Sequence, residues 1–502
     1  METLNRSPIP VEGSGQAKPV FGLGHWMKLV LQECDRAYTA LDVDAVHDLR
    51  VALRRCRSIA DGLMMIDPSP CWRQMKRAGR RLFRGLGALR DTQVMSEWVR
   101  QLAPEDDSGC KLLLGLLAKE ESQHKLLAGE ALRNFDTKQW RKWSRELSAR
   151  AAQIEVGTLV FKQLALERWT EARDLHRQAV RNRSQAALHR LRIGIKRFRY
   201  IVENFLPQQH EMWRSDLKEL QDVLGEVHDL DVLRAMARSV STFSGPDSRT
   251  RWQEMVQTMR DQRIARYRER MIGSHSLWST WREDLPQGEQ IQAAAMTRLK
   301  VWASFLDPDV RHSQHVAELA QQVFDGLQRL ELTSVNEQPD PRVILVTAAF
   351  LHDVGLAQRC KGHHKASFRM IAKLAPPLGW NSEDLLLVAT VVRFHRGGLP
   401  SVERKPLREL AAGKRQLAKL LAGILRLADA FDDLHDGHVR TLRVEDKNGF
   451  LLVSAAGYRA MSQTGQHVAA ARHLLEVVLR KPVLVRPLKG PVQHLPAPEV
   501  RV

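Results

Sequence analysis

Histidine and aspartate residues in the second half of the chain have the types and the order expected of a metal site. They lie in five segments with helical flanks: RHSQHVAELA, AAFLHDVGL, KGHHKASFRMI, VVRFHRGGLP and ILRLADAFDD. The candidate ligands are His312, His352, Asp353, His363, His395 and Asp429. Imidazole and carboxylate groups together suit a divalent transition metal such as manganese, iron, nickel or zinc. A set of this size is enough for two metal ions, which activate water and clamp a phosphoryl group.

A histidine on an apolar helix face is more often a hydrogen-bonded core residue than a metal ligand. The ordered series His, His-Asp, His, His, Asp within about 120 residues is harder to obtain by chance, and it favours the metal site. One position stays open. His364 competes with its neighbour His363, because either ring could turn inward.

A second group of chemically competent residues is basic and duplicated. The segment HDLRVALRRCRS at 47–58 recurs as HRLRIGIKRFRY at 189–200, and LGALRDTQVM at 86–95 is answered by LGEVHDLDVL at 224–233. Two elements therefore recur in the same order at nearly the same offset, which predicts one helical unit present twice.

Each copy places its basic residues in a narrow arc of a helix that advances about 100° per residue. The first stripe is His47, Arg50, Arg54 and Arg57, and the second is His189, Arg192, Lys196 and Arg199. A helix between the copies adds Arg73, Lys76, Arg80 and Arg84, with Arg77 and Arg81 on the same face. We expect no acidic partners within these stripes, so the like charges repel one another unless a polyanion neutralises them.

Four residues near the stripes have more than one interpretation. His47 and His189 could serve in helix packing as easily as in binding. Asp91 and Asp229, in the second repeated element, are predicted to cap the helices that follow them.

Composition agrees with a polyanionic ligand. The 502 residues carry 77 lysines and arginines against 58 acidic residues, a net charge of +19. Nucleic-acid binding also fits the charge, but it is disfavoured because no RRM, KH or zinc-finger signature is found and the aromatic residues lack a stacking arrangement. Five scattered cysteines without a C-x-x-C pair exclude a disulfide framework and predict a reducing cytoplasm. No apolar run reaches the length of a membrane span, so no membrane partner is expected.

The elements that must position these groups are mainly α-helical. The predicted organisation is a tail at 1–18, a duplicated helical-bundle domain at 19–275, a linker at 276–290, an all-α domain at 291–440, a small α/β lobe at 441–490 and a tail at 491–502. Apolar and polar residues alternate on both sides of Asn448-Gly449, and this pattern predicts a β-hairpin in the small lobe.

The repeated H-x-x-R-x-x-x-R-x-x-R pattern, followed in each copy by L-G-x-x-x-D, resembles the CHAD family of conserved-histidine α-helical domains over about residues 19–275. The resemblance implies two helical bundles related by pseudo-two-fold symmetry, whose basic stripes line a central groove that binds inorganic polyphosphate. The family's basic positions fall on Arg50, Arg54, Arg57, Arg192, Lys196 and Arg199, beside His47 and His189. The second copy departs at Lys196, a point charge where arginine would offer a bidentate fork.

The histidine series resembles the HD superfamily of metal-dependent phosphohydrolases. Its surroundings, at about 295–490, most resemble the C-terminal HD-like domain of the exopolyphosphatase and guanosine-pentaphosphate phosphatase family. This implies His312, His352, Asp353 and Asp429 as core ligands, His363 and His395 for a second metal, and Asp353 as the bridge. Charge on the phosphoryl oxygens would be neutralised by nearby cations, namely Lys361, Lys365, Arg393 and Arg396. The CHAD-like region stands where that family has actin-like ATPase-fold domains, so its usual mechanism does not transfer.

Together these expectations describe a cytoplasmic protein, found in the cytosol or at polyphosphate granules. Its basic groove gathers polyphosphate and its HD-type site hydrolyses a phosphoanhydride or a nucleotide phosphate. The rival hypothesis is a non-enzymatic polyphosphate-binding or regulatory protein with a non-catalytic HD domain. Metal content separates the two.

Overall fold

The computed structural model describes residues 22–103, 107–182, 184–239, 246–333, 340–403 and 405–488. The predicted mainly α fold class is confirmed, with a small sheet near the C-terminus. The chain divides into two compact units, Met1–Met64 with Ser69–Leu285, and Met65–Pro68 with Pro286–Val502. The tails predicted at 1–18 and 491–502 lie outside the described residues. Within those described ranges, no helix is both long and apolar enough to cross a membrane.

The first unit is built from helices alone among its described residues. They are α1 (Leu23–Thr39), α2 (Val43–Leu63), α3 (Pro70–Gly85), α4 (Gly87–Leu102), α5 (Ser108–Arg133), α6 (Thr137–Ala151), α7 (Leu159–Asn182), α8 (Gln185–Phe205), α9 (Pro207–Ser239), α10 (Pro246–Met271) and α11 (Leu277–Glu283). The segment predicted as a linker at 276–290 contains α11, whose Leu277, Trp278 and Trp281 are buried. The Gly, Ser and Pro residues of this segment suggested a linker, but its two tryptophans pack into the core as part of a short helix.

The two sequence repeats become α2 and α8, and they begin in the same way. The Asp42 side chain accepts a hydrogen bond from the Ala45 N–H at 2.6 Å, and Ser184 accepts one from Ala187 at 3.2 Å. Each cap satisfies an amide that the first helical turn leaves unpaired. The two helices cross near their C-terminal ends, where the Asn204 amide donates to the Ser58 hydroxyl at 3.0 Å. The duplication therefore extends to the caps and brings the copies into contact.

The second unit packs helices around the candidate metal ligands and ends in the small lobe. Its elements are α12 (Glu289–Ser304), α13 (Val310–Arg329), α14 (Pro341–Leu351), a short 3-10 helix (Val354–Ala357), α15 (His363–Ile371), α16 (Ser382–Arg393), α17 (Lys405–Arg408), α18 (Ala412–Phe431), β1 (Leu442–Lys447), β2 (Phe450–Ala455), α19 (Gln463–Ala471), α20 (His473–Leu479) and β3 (Val483–Pro487). Helices α13, α14, α16 and α18 share one apolar core.

The small sheet has the order β1-β2-β3, antiparallel and then parallel. The predicted hairpin is present, with Lys447 opposite Phe450 and a two-residue loop between them. Asn448 and Gly449 have φ values of 48° and 87°, the left-handed pair that such a tight turn requires.

The α2–α8 crossing depends on a glycine, and this gives a test of the fold. A Cβ on Gly62 would lie 2.3 Å from the Phe205 ring, which cannot retreat because it stacks on Phe161 at 4.3 Å. We expect Gly62→Ala to lower the free energy of unfolding by about 1–3 kcal/mol through overpacking. Gly115→Ala is the control, because nothing lies within 4 Å of its Cβ position in α5. That change should be neutral or stabilising by up to about 1 kcal/mol. Urea unfolding midpoints that shift equally in both variants would contradict the crossing.

Candidate metal centre and basic cavity

The His-Asp pair lies where an apolar helix ends. Helix α14 is almost entirely buried, His352 is its C-terminal flanking residue, and Asp353 precedes the 3-10 helix. Their exposed fractions are 0% and 4%. The Ser367 hydroxyl holds this corner, since it donates to the His352 carbonyl at 2.8 Å and accepts from the Gly355 N–H at 2.9 Å. The burial of α14 thus fixes where the pair sits.

Two further histidines reach the same place from other helix ends. His363 is the first residue of α15, and His395 follows Phe394, the C-terminal flanking residue of α16. Both are buried. Their Nε2 atoms lie 3.1 Å apart. His363 Nε2 is also 3.1 Å from Asp353 Oδ1, and His395 Nε2 is 3.9 Å from the same oxygen.

Backbone carbonyls orient three of the rings. Nδ1 of His352, His363 and His395 lies 2.6, 3.1 and 2.7 Å from the carbonyl oxygen three residues earlier in the chain. A carbonyl oxygen only accepts, so Nδ1 carries the proton and donates. The other nitrogen of each ring, Nε2, therefore faces the cluster, and it is free to bind a metal when the ring is neutral, as in metal-binding histidines.

His312 is oriented by a carboxylate instead. Its Nδ1 lies 2.7 Å from Asp432 Oδ2, and its Nε2 lies 3.4 Å from Asp429 Oδ1. The Asp429 carboxylate also receives the Arg396 guanidinium, with Nε at 2.9 Å. Sequence reasoning missed Asp432, although it falls one helical turn beyond Asp429 in LADAFDD. A search for carboxylates that support ligand histidines would have found it.

Two groups of three can offer one ligand atom each within 4.8 Å of one another. The first is His312, His352 and Asp353, and the second is Asp353, His363 and His395. Asp353 belongs to both, so buried histidine and aspartate side chains could hold a metal at this cluster. Asp429 adjoins the first group, since His352 Nε2 lies 3.7 Å from its Oδ1.

The cluster strongly perturbs its acids and bases. Burial would raise the pKa of Asp353, but the His352 charge and the His363 hydrogen bond outweigh it and hold that pKa well below its ordinary value. Burial and the neighbouring His352 charge lower the pKa of His395 to about 3. Burial opposes a charge on His312, yet contacts with Asp429 and Asp432 raise its pKa to about 10. Perturbations of this kind concentrate at functional sites.

The nitrogen and oxygen atoms that face into the histidine and aspartate cluster are suited to bind a cation. Nε2 of His312, Nε2 of His352 and Oδ1 of Asp353 are buried without a well-directed hydrogen-bond partner. The facing Nε2 atoms of His363 and His395 present two lone pairs to each other at 3.1 Å. Such an arrangement is unfavourable unless a cation lies between the acceptors. The residues present therefore suit a divalent transition metal.

The predicted neighbours of the cluster divide into three cases. His363 is buried against Asp353, whereas His364 is half-buried, and burial beside Arg393 lowers its pKa to about 4. Arg396 is present but engages Asp429. Lys361 is exposed, and no hydrogen bond or ion pair within the described ranges joins it to the cluster. Lys365 is also exposed, and the Arg393 guanidinium lies over the Phe394 ring.

The first unit contains a basic cavity of about 430 Å³ where the two copies meet. Arg50 and Arg54 of α2 line it together with Arg192 and Lys196 of α8, and His47 lies at its wall. The sequence did not single out Arg90 and His228, which line it as well. They lie outside the repeated stripes, so only tertiary packing brings them in.

Positive charge in this cavity is concentrated. Burial, followed by the charges of Arg54, Arg192 and Arg50, lowers the pKa of Lys196 to about 7. Burial also lowers the pKa of Arg50 to about 10. Arg192 Nε is buried with no described hydrogen-bond partner. Arg50 is held in place, since it donates to the Phe83 carbonyl at 2.8 Å and lies over the Phe83 ring. Such a cavity attracts anions.

Apart from His47, the outer residues of the stripes do not line this cavity. Arg57 pairs with Asp61 at 3.9 Å and Arg199 with Glu203 at 3.7 Å. Lys76 also contacts Asp61. The expectation that the stripes lack acidic partners was therefore wrong at their C-terminal ends. Arg73, Arg80 and Arg84 are exposed on α3, and His189 packs against His228 with ring centroids 4.9 Å apart.

The predicted capping role of Asp91 and Asp229 was also wrong. Asp91 lies within α4 and Asp229 within α9, so neither precedes a helix. Both line the basic cavity instead. Burial raises the pKa of each carboxyl, against the charge of neighbouring arginines.

Comparison with known families agrees with this division. Residues 29–238 match the CHAD domain, and residues 296–461 match Ppx/GppA phosphatase, domain III. The chain thus joins a region of the first type to a region of the second, as predicted. Both matches indicate a polyphosphate-related function, and the second names a phosphatase family.

Among solved structures, the chain is similar to the crystal structure of the CHAD domain from the plant Ricinus communis. The two are 23% identical, and the match covers 53% of this chain and 90% of that chain, with a TM-score of 0.35. No curated protein matches the chain.

The Ser367 contacts predict a defect that can be measured without any ligand. Ser367→Ala removes two buried hydrogen bonds and leaves the Gly355 N–H and the His352 carbonyl unpaired. We expect a loss of about 1–3 kcal/mol in the free energy of unfolding. Ser304→Ala is the control, because that exposed hydroxyl only bonds the carbonyl of Val301 in its own helix. Equal unfolding midpoints for the two variants would contradict the role of Ser367.

Proposed function

We propose that this chain binds inorganic polyphosphate in the basic cavity and hydrolyses a phosphoanhydride or a nucleotide phosphate at the metal centre. The observation that carries the proposal is Asp353, which belongs to two buried ligand groups at once. A carboxylate shared by two groups is suited to two adjacent metal ions. The proposed cofactor is one or two divalent transition ions, among manganese, iron, nickel and zinc.

Polyphosphate suits the cavity because its charges are dense and its chain is flexible. Four cations from two helix copies line one space, and none of them has an ion pair within 4 Å in the described part of the chain. A chain of phosphates would bring several negative charges to them at once. The guanidinium groups of Arg50, Arg54 and Arg192 can bind phosphate oxygens in a bidentate manner, and Lys196 adds a point charge. His47 lines the cavity beside them. We assign Arg57, Arg199, His189 and the α3 basic face to the surface along which the chain approaches the cavity.

At the metal centre, His312, His352 and Asp353 would hold one ion, and Asp353, His363 and His395 would hold the other, with Asp429 beside the first. When bound, such ions act as Lewis acids toward phosphoryl oxygens and lower the pKa of bound water. Hydrolysis adds one water across a P–O–P bridge. The water oxygen bonds to the terminal phosphorus, the bridging oxygen leaves with the shortened chain, and the released proton passes to solvent. The chain's own carbonyls and Asp432 keep the ligand rings in their tautomers.

One observation supports the non-enzymatic alternative. Arg396 pairs with Asp429 through two guanidinium nitrogens, at 2.9 and 3.4 Å. This pair partly neutralises a proposed ligand from within the protein. A cluster that is balanced in this way could hold a structural ion while the basic cavity binds polyphosphate for storage or regulation.

The cavity assignment predicts a separable binding defect. Changing Arg50, Arg54, Arg192 and Lys196 together to Ala should abolish polyphosphate binding, which in the wild type should weaken steeply with salt. Lys138, Arg141, Lys142 and Arg145 changed together to Ala provide the control, since they remove the same charge from the exposed face of α6, outside the cavity and the α3 basic face. Titration calorimetry with polyphosphate measures both. Retained binding in the cavity variant, or equal preference of the wild type for duplex DNA, would reject the assignment.

The metal assignment predicts a complementary result. His352→Ala with Asp353→Ala should remove nearly all bound transition metal, measured by elemental analysis, while polyphosphate binding persists. His467→Ala with Asp433→Ala is the matched control, because that histidine and aspartate pair lies outside the cluster. The cavity variant should keep its metal. Wild-type protein that contains no transition metal, takes none up on reconstitution and releases no phosphate would leave the non-enzymatic alternative.

A further inference from the structure

A second cavity in the second unit borders the metal centre and has no role in the function proposed above. It has a volume of about 620 Å³ and is lined by the first turns of α13 and by the loop that follows α18. His312 is part of its wall. A substrate that occupies this cavity would therefore lie beside a proposed metal ligand. Its volume falls within the range of ordinary ligand pockets.

The carboxylates of this cavity are largely engaged with groups of the protein itself. Asp432 accepts from His312 Nδ1 at 2.7 Å and from the Gly437 N–H at 2.9 Å. Asp309 accepts from the His312 N–H at 3.1 Å and contacts His435 Nδ1 at 2.9 Å. The Asp436 carboxylate accepts from the His438 N–H at 2.9 Å, and Glu318 lies 4.0 Å from His315.

The two guanidinium groups of the cavity, in contrast, have no ion-pair partners among the described residues. Arg311 and Arg440 are both exposed, and neither forms an ion pair with any residue that the structure describes. The Arg440 Nε reaches the Gly437 carbonyl only at 3.4 Å, which leaves its terminal nitrogens for a ligand. A guanidinium group without an ion pair can bind two oxygens of one phosphate group in a bidentate manner, and two such groups line this cavity.

Two histidine rings that line this cavity are held in place by their contacts. The His435 ring stacks on the His312 ring at 3.7 Å with an interplanar angle of 8°, and its Nδ1 is tied to Asp309. His435 also has a φ of 55°, a left-handed conformation that a non-glycine residue keeps only when its surroundings hold it. The geometry of the cavity relative to His312 is thus set before any ligand arrives.

We propose that Arg311 and Arg440 form a subsite for a phosphate group adjacent to the one that is attacked. This inference deepens the proposed function and rests on it for the reaction, although the binding itself does not depend on catalysis. A substrate with at least two linked phosphates would then occupy both positions. Short polyphosphates and nucleoside di- and triphosphates do so, whereas a phosphomonoester reaches only the attacked position and gains nothing from the two arginines.

The test uses the full chain in which Arg50, Arg54, Arg192 and Lys196 are changed to Ala, so that the basic cavity does not contribute. Calorimetry with tripolyphosphate, without added metal, should show binding that is weakened at least tenfold by Arg311→Ala with Arg440→Ala. Arg329→Ala with Arg443→Ala removes the same charge from exposed positions of the same unit and should leave the affinity unchanged. Equal loss in both pairs, or no loss in either, would overturn the subsite.

Kinetics on protein reconstituted with Mn²⁺ then separates this inference from the proposed function. The Arg311/Arg440 variant should have a KM for tripolyphosphate raised about tenfold with little change in kcat, while p-nitrophenyl phosphate is affected equally in the variant and its control. If the wild type hydrolyses tripolyphosphate and the variant matches it in both constants, the subsite is wrong and the proposed function stands. If the wild type hydrolyses neither substrate, the proposed reaction is wrong, and the calorimetric result decides the subsite alone.

Discussion

The last carbonyl groups of an α-helix lack intrahelical partners, and in the second unit two of them accept hydrogen bonds from histidine rings. The Ala349 carbonyl in the last turn of α14 accepts from His352, and the Val392 carbonyl in the last turn of α16 accepts from His395. Each bond satisfies the end of a helix and decides which ring nitrogen faces the cluster. Because both helices are buried along their length, the apolar core of the unit fixes the positions of the rings. The metal centre therefore depends on where helices end.

The same constraint explains why the cluster is electrostatically unusual. When the rings are neutral, their inward-facing Nε2 atoms leave Asp353 among lone pairs, and no well-directed hydrogen bond then satisfies its Oδ1. Unpaired buried acceptors cost free energy, and natural proteins keep them where they serve a ligand. Arg396 and the charge on His312 offset part of the excess negative charge from Asp429 and Asp432. The balance is incomplete at Asp353, which is the position shared by both ligand groups.

Helical periodicity and internal repetition were enough to predict the helical class and the duplication, and the Asn448-Gly449 turn predicted the hairpin. The ordered histidine and aspartate motifs, with the resemblance they carry, predicted the residues that gather in the candidate metal cluster. The sequence could not show how the two basic stripes are placed relative to each other in the folded protein. An arc on a single helix does not say which of its residues meet the other copy, and only some positions of each stripe line the cavity, namely His47, Arg50 and Arg54 of the first and Arg192 and Lys196 of the second. Asp91 and Asp229 were misjudged for the same reason, since a polar residue after L-G looks like a cap until the helix is seen to continue through it. His363 and His364 are equivalent by spacing, and only packing decides between them.

The presence of Asp91 and Asp229 in the basic cavity bears on which polyanion it suits. Carboxylates among arginines keep the guanidinium groups apart and lower the net charge, so a ligand gains less from charge alone than from fitting between fixed groups. A rigid nucleic-acid duplex presents its phosphates on a convex outer surface, which binds well to a flat basic patch on a protein. It cannot place several phosphates inside a concave space of about 430 Å³ that is closed by two helix copies. A narrow, flexible chain of phosphates can enter such a space and approach Arg50, Arg192 and Lys196, which all line it. Enclosure, more than net charge, is what favours polyphosphate over nucleic acid.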